Sequence, residues 1–304
     1  MITIEGVSKN YGSNKAVDKV SFQANDREIL VLLGTSGCGK TTTLKMINRL
    51  VEPDSGTIYI DGKNIREQKP EALRKNIGFV MQQAGLFPHY NVAQNIAVVP
   101  NLLNWEEKKI ESRTLQLLEK LHLTEELLNY FPHELSGGQQ QRIGVARALI
   151  ADTSVLLMDE PFGALDTITK SAIHDEFRNL DELRNKTTIL VTHDVSEAFE
   201  LGHRIGLMDK GQLIQIGSPA EMLYHPVNSF VKDFFAGNRL MLEYKIASVK
   251  MVQPYLKKQL KAQERIQNAN VWEALQFFST EHTFNEDYEA LLQAFNQYRK
   301  LQTV

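Results

Sequence analysis

Over residues 1–30 apolar and polar positions alternate, with Ile2 and Ile4 followed by Val17, Val20 and Phe22. That period predicts short strands, with a turn at Tyr11-Gly12-Ser13-Asn14. Ile29–Leu33 is apolar without interruption and reads as a strand buried on both faces, and Leu44–Leu50 then reads as a helix. Gly56–Gly62 predicts a strand ending in an Asp-Gly hairpin turn, and Pro70–Lys75 a short helix with proline in its first turn. Ile77–Met81, Ser154–Glu160 and Thr187–Val191 are further apolar runs of strand length. Between them the period changes. Asn91–Leu103 and Glu106–Leu121 are helical in pattern, with Leu115, Leu118 and Leu121 expected on one face, and Thr124 is a candidate N-cap ahead of Glu125 and Glu126. Asp194 is expected to cap a helix through Phe199, and Arg204–Met208 and Gln212–Ile216 to form a hairpin around Asp209-Lys210-Gly211. The pattern is an α/β chain with a helical insertion over about residues 89–150.

Chemistry collects at the strand ends. Gly34-Thr35-Ser36-Gly37-Cys38-Gly39-Lys40-Thr41-Thr42 lies between a buried strand and a helix, the context in which G-x-x-x-x-G-K-[ST] marks a phosphate loop. Glycines let successive N–H groups point inward, and the helix N-terminus adds partial positive charge. Lys40 is expected to reach the β- and γ-phosphates, and the Thr41 hydroxyl to ligate Mg²⁺. Cys38, beside that helix start and Lys40, is expected to favour its thiolate. Gln82 follows one strand, Asp159-Glu160 end another, and His193 ends a third. Ligand-contacting residues emerge from that end of a parallel sheet. Ser136-Gly137-Gly138-Gln139 opens a helix; on cap chemistry alone it is an ordinary capped start. Tyr11 could stack on an adenine ring, though a lone Tyr-Gly is more often only a turn.

Composition narrows the class. The 304 residues suggest about two domains. A formal charge of −3 gives no sign of a nucleic-acid binder. The single cysteine rules out an intrachain disulfide and fits a reducing compartment. The N-terminal residues do not read as a signal peptide, and no apolar run approaches the ~20 residues of a membrane span. The expectation is a cytosolic chain able to dock on a membrane protein.

With Leu135-Ser136-Gly137-Gly138-Gln139 placed after a phosphate loop and before an Asp-Glu strand, residues 1 to about 236 resemble the nucleotide-binding subunit of an ABC transporter. The stretches Gly34–Pro53, Gly85–His89 and Gln139–Leu149 are similar to the branch that imports glycine betaine, carnitine and choline. The resemblance implies an α/β P-loop NTPase (RecA-like) core with an N-terminal antiparallel β subdomain, an inserted helical subdomain and a mostly helical C-terminal extension. It implies a cassette over 1–236 and an extension over 237–304. By position, Tyr11 would stack on adenine, Gln82 would sense the γ-phosphate and Mg²⁺, and Asp159 would hold Mg²⁺ through water. Glu160 would be the general base and His193 would contact the γ-phosphate. Ser136 and Gly138 would complete the site of a second copy, with Asp166 across the same interface, so that two ATP molecules lie in a head-to-tail dimer. The implied partners are that second copy, transmembrane permease subunits and, indirectly, a solute-binding protein, with the chain peripheral on the cytoplasmic face of the membrane. Leu86, Phe87, Pro88 and His89 are expected to meet the permease, in a groove between the core and the helical insertion.

Many members of that branch end in a pair of CBS modules, for which 237–304 is too short. Asn270–Phe278 faintly resembles the opening helix of one. Asn285 is expected to cap a helix carrying Tyr288, Leu291, Leu292, Phe295 and Tyr298 on one face, a remnant that packs or dimerises. Lys245, Lys250, Lys257, Lys258, Lys261 and Arg265 could meet anionic lipid, although a solvated face explains them more simply. The reading from another class is a non-transport ABC ATPase acting on ribosomes or nucleic acid; a lone phosphate loop and no heptad array stand against it.

Overall fold

A computed structural model describes residues 1–163, 170, 174, 177, 180–260, 263–280 and 285–302. The chain divides into two compact units, Met1–Ile214 and Gln215–Val304. The expected boundary lay after residue 236. Helices α8 (Pro219–Tyr224) and α9 (Ser229–Ala236) pack together, and α8 packs on α10 (Arg239–Ile246), which groups them with the second unit.

The first unit holds two sheets. One is four-stranded and antiparallel, in the order β2-β1-β4-β5, from β1 (Ile2–Tyr11), β2 (Asn14–Ala24), β4 (Ser55–Ile60) and β5 (Lys63–Asn64). The alternation read at the N-terminus becomes its buried face, with Ile2, Ile4, Val17 and Val20 at most 1% exposed. Asp61 and Gly62, both at positive φ, make the β4–β5 turn where Asp-Gly predicted one. The other sheet is six-stranded, β10-β9-β3-β8-β7-β6. Its members are β3 (Ile29–Gly34), β6 (Ile77–Val80), β7 (Val155–Asp159), β8 (Thr187–Thr192), β9 (Arg204–Asp209) and β10 (Gln212–Gly217), by which the chain leaves for the second unit. Parallel pairings join β9, β3, β8, β7 and β6, so their C-terminal ends line one edge. Every residue of β3, β7 and β8 is buried, as a parallel strand covered on both faces requires.

Helix α1 (Lys40–Ile47) follows β3, α2 (Pro70–Arg74) precedes β6, and the insertion contains α3 (Val92–Leu102), α4 (Glu107–Lys120) and α5 (Gly137–Leu149). Asn91 caps α3 through a capping box with Gln94. Thr124 precedes a 3₁₀ turn, Glu125–Asn129, but its side chain makes no cap bond. The buried stripe of α4 is Ile110, Thr114, Leu117 and Leu118; Leu115 is only half-buried and faces a groove. Of the expected Leu115-Leu118-Leu121 face, Leu118 and Leu121 are buried and Leu115 is half-open, because that flank of the helix borders a cleft. Helices α6 (Asp181–Arg184) and α7 (Val195–Leu201) flank β8.

In the second unit, α10, α11 (Val249–Val252), α12 (Gln263–Ile266), α13 (Val271–Thr280) and α14 (Asn285–Gln302) surround a core that includes Val252, Val271, Phe278, Leu291 and Phe295. Asn285 is the first helical residue of α14 rather than its cap. Tyr288, Leu292 and Tyr298 pack against this core as expected, while Asp287, on the same helix, is buried as well. Lys250 donates to Asn268 Oδ1 at 2.9 Å and Lys258 lies 3.1 Å from Glu286, which ties down part of the basic set; Lys261 lies outside the described residues. Among the described residues no helix is long and apolar enough to cross a membrane.

Candidate active site

The phosphate loop joins β3 to α1 along a path that leaves no room for a Cβ at two of its glycines. A Cβ on Gly34 (φ 154°) would lie 2.3 Å from the Met208 carbonyl oxygen, and one on Gly39 (φ 105°) 2.3 Å from that of Ala16. At the open side, Thr35, Ser36 and Gly37 are exposed, and a Cβ on Gly37 would meet nothing within 4 Å. A cradle closed on its protein side and open on the other suits a phosphate chain. Lys40 folds into it: its Nζ donates to the carbonyls of Gly34 and Thr35, each at 2.9 Å. An ammonium that is 4% exposed thus satisfies itself on the loop's own backbone.

Cys38 departs from expectation. Its thiol is buried, and burial pushes its pKa up against the opposing pull of Lys40, whose Nζ stands 3.7 Å from Sγ. Desolvation wins, so the loop thiol is held protonated rather than activated.

The other strand ends converge on this loop. Thr41 Oγ1 donates to Asp159 Oδ1 at 2.7 Å, joining α1 to the tip of β7. Burial pushes the Asp159 carboxyl above its ordinary range, opposed by the Thr41 hydrogen bond. The next residue, Glu160, has φ 45°, a left-handed conformation unusual outside glycine. That bend separates two consecutive carboxylates: Asp159 faces the phosphate loop while Glu160 faces outward. Gln82 Nε2, after β6, donates to Glu160 Oε2 at 2.9 Å, and His193 Nδ1, after β8, stands 3.2 Å from Glu160 Oε1. Lys40, Thr41, Gln82, Asp159, Glu160 and His193 thus form one cluster. Thr42 follows Thr41 on α1, half-buried.

Ser136 caps α5, its Oγ accepting from Gln139 N–H while Gln139 Oε1 accepts from Ser136 N–H. Ser136 and Gly137 face solvent, Gly138 and Gln139 are half-buried, and among the described residues no hydrogen bond links them to the cluster. Tyr11 is 51% exposed at the end of β1 and likewise stands apart, with Lys9 Nζ 5.7 Å from its ring centroid. Asp166 lies outside the described residues.

Helix α5 also grips the chain on both sides of Gln82, a feature the sequence did not signal. Gln141 donates to Met81 O at 3.4 Å, and Arg147 donates to Gly85 O at 2.9 Å and to Ala84 O at 2.8 Å. Beyond this hold, Phe87, 42% exposed, packs on His89 and Tyr90 with centroids 6.0 and 5.6 Å away. They border a groove of about 1030 Å³ walled by α3 and α4, including Val98, Leu102 and Leu115. Phe87 and His89 line this groove, and Leu86 and Pro88 do not; it lies within the helical insertion.

The architecture and the cluster are those of a nucleotide-binding cassette, and comparison with known proteins agrees. The ABC transporter family model matches residues 17–163. The chain is 51% identical over 242 residues to the glycine betaine/carnitine/choline transport ATP-binding protein OpuCA of Bacillus subtilis (strain 168), covering 79% of this chain and 64% of that one. It is 47% identical over 262 residues to the glycine betaine uptake system ATP-binding protein YehX of Escherichia coli (strain K12), covering 86% and 84%. Among solved structures, the dimeric bacterial ABC transporter cassette MJ0796 superposes with a TM-score of 0.66 at 33% identity, over 72% of this chain and 98% of that one. The same cassette in a post-hydrolysis state bound to ADP and Pi gives 0.65. The chain belongs to the ABC transporter family of ATP-binding proteins, and OpuCA and YehX are named for glycine betaine, carnitine and choline transport and for glycine betaine uptake. It spans just under two thirds of the length of OpuCA.

Proposed function

We propose that the chain is the ATP-hydrolysing subunit of an importer for quaternary-amine osmoprotectants such as glycine betaine, carnitine or choline. The observation that carries the hydrolytic part is Glu160, held between Gln82 and His193 beside the Thr41–Asp159 pair. Its carboxylate accepts a proton from the attacking water as general base, with Gln82 and His193 fixing its two oxygens. His193 then turns to the γ-phosphate. Lys40 exchanges the carbonyls of Gly34 and Thr35 for the β- and γ-phosphates, and the amides of the loop from Thr35 to Thr42 hold the rest of the chain. Tyr11, exposed, stacks on adenine. The Thr41 hydroxyl, Gln82 amide oxygen and Asp159 carboxylate are all oxygen donors, the set that suits Mg²⁺, and would hold it. When bound, that ion neutralises charge on the phosphate oxygens.

Ser136 and Gly137 are exposed and, among the described residues, no hydrogen bond links Ser136, Gly137, Gly138 or Gln139 to their own cluster, which supports their serving a second copy in a head-to-tail dimer, with Asp166 at the same interface. The groove beside Phe87 receives a permease subunit, and the chain sits peripherally on the cytoplasmic face of the membrane, with a solute-binding protein engaged only indirectly. The choice of cargo rests on similarity to OpuCA and YehX. Uptake of labelled betaine, carnitine and choline by vesicles carrying the chain with its permease tests it. MgATP-dependent uptake of one of them is expected; uptake of none, with ATPase intact, overturns the cargo.

A further inference from the structure

His193 is 58% exposed at its side chain, so packing does not hold the ring 3.2 Å from Glu160. Its neighbours in the chain do. Thr192 Oγ1 donates to Glu197 Oε2 at 2.8 Å and accepts the Asp194 N–H at 3.0 Å. Asp194 Oδ1 caps α7 through the N–H groups of Ser196 and Glu197, at 2.8 and 3.2 Å. The turn carrying His193 is thereby pinned to the start of α7, but the pinning brings two carboxylates together, and Glu197 is 2% exposed at its side chain. Lys170 answers both: its Nζ lies 2.6 Å from Asp194 Oδ2 and 3.5 Å from Glu197 Oε2. His174 Nδ1 meets Glu200 Oε2 at 2.7 Å, so Lys170 and His174 dock on the same face of α7.

We propose that Lys170 is a positioning residue for ATP hydrolysis: by bridging Asp194 and Glu197 it holds the β8–α7 turn in the shape that presents His193 to Glu160 and the γ-phosphate. The inference rests on the ATPase reading above. Burial opposes the Lys170 ammonium but is outweighed by the hydrogen bond to Asp194 and the charges of Glu197 and Asp194, which raise its pKa, so the bridge stays charged at neutral pH. Without it, Asp194 and Glu197 lose the cation they share, the pins that join the 192–194 turn to the start of α7 loosen, and His193 moves with that turn. Lys170 pairs with Asp194 and Glu197 rather than with the Glu160 cluster, and acts through the backbone at 192–194.

The test compares Lys170→Ala, Lys170→Arg and His193→Gln, alone and with Lys170→Ala. In the nucleotide-free protein the His193 ring resonance, assigned by its loss in His193→Gln, should shift in Lys170→Ala and return in Lys170→Arg. With MgATP, Lys170→Ala should lower kcat by about tenfold with KM changed less than about twofold, and Lys170→Arg should recover most of it. Added to His193→Gln, Lys170→Ala should cost little more, because both act on one group. An unmoved His193 resonance, or fully additive losses in kcat, overturns the proposal. A wild type that binds MgATP without turning it over overturns the ATPase reading and this inference with it, and is recognised because the wild type itself is inactive.

Discussion

At the scale of single residues, β7 ends in two carboxylates with opposite requirements. Asp159 points inward to Thr41, where burial raises its pKa from the ordinary 3.8. A carboxyl whose folded pKa lies above its unfolded one stabilises the fold while protonated and costs stability as it ionises. For this residue, stability is therefore lost as pH rises from about the ordinary value through the raised one. At neutral pH the nucleotide-free protein carries that cost, consistent with a site shaped for a cation rather than for its own stability. Asp159→Asn keeps an acceptor for the Thr41 hydroxyl and removes the charge. It should raise the melting temperature of the nucleotide-free protein at neutral pH while abolishing Mg²⁺-dependent turnover; a lower melting temperature would show that the charge is compensated in the fold.

Helix α5 works at the scale of an element. Its N-terminus presents Ser136 and Gly138, its middle holds Met81 O through Gln141, and its last turn holds the carbonyls of Ala84 and Gly85 through Arg147. If the groove beside Phe87 is the docking site proposed above, α5 is the element that links it to the chain around Gln82 and to the Ser136 end. Phe87 is exposed beside the groove, so truncating it removes a docking anchor and little packing. Phe87→Ala should weaken assembly with the permease by about 2 kcal/mol or more and leave the melting temperature of the free subunit unchanged. A falling melting temperature would make Phe87 a packing residue instead. The sequence showed the strands and their tips because parallel strands buried on both faces read as unbroken apolar runs, as in Ile29–Leu33. It read Leu118 and Leu121 correctly as the packed face of α4 but included Leu115, which a helix bordering a groove leaves half-open. It gave no sign of Arg147 or Lys170: each bridges segments far apart in the chain, and surface charges of the same types are common.

At the scale of the whole molecule the two units differ in legibility. The first carries every candidate site residue among those described, and four strand tips in order were enough to place Lys40, Gln82, Glu160 and His193. The second is a helical body whose apolar face on α14 was readable, whereas Asp287 and Glu243 were not, since buried acids look like surface acids in a sequence. Glu243 is satisfied from two helices, by Arg239 at 2.8 Å and Arg299 at 2.5 Å. Phe295, fully buried and 4.5 Å from the Tyr244 ring, holds that body together. Phe295→Ala should destabilise the second unit by about 3–5 kcal/mol, read by denaturant unfolding; a loss well under 1 kcal/mol would mean that the helices do not depend on this core.

On the reading proposed above, Glu160 is the base of an ATPase whose sites are completed by a second copy. Glu160→Gln keeps the size and the hydrogen bonds to Gln82 and His193 while removing the base. The decisive measurement follows MgATP turnover and oligomeric state of wild type and Glu160→Gln side by side. The account predicts turnover lower by about 10²–10⁴-fold in the variant, with ATP still bound and a dimer accumulating only when ATP is present. Turnover equal to that of the wild type would contradict it.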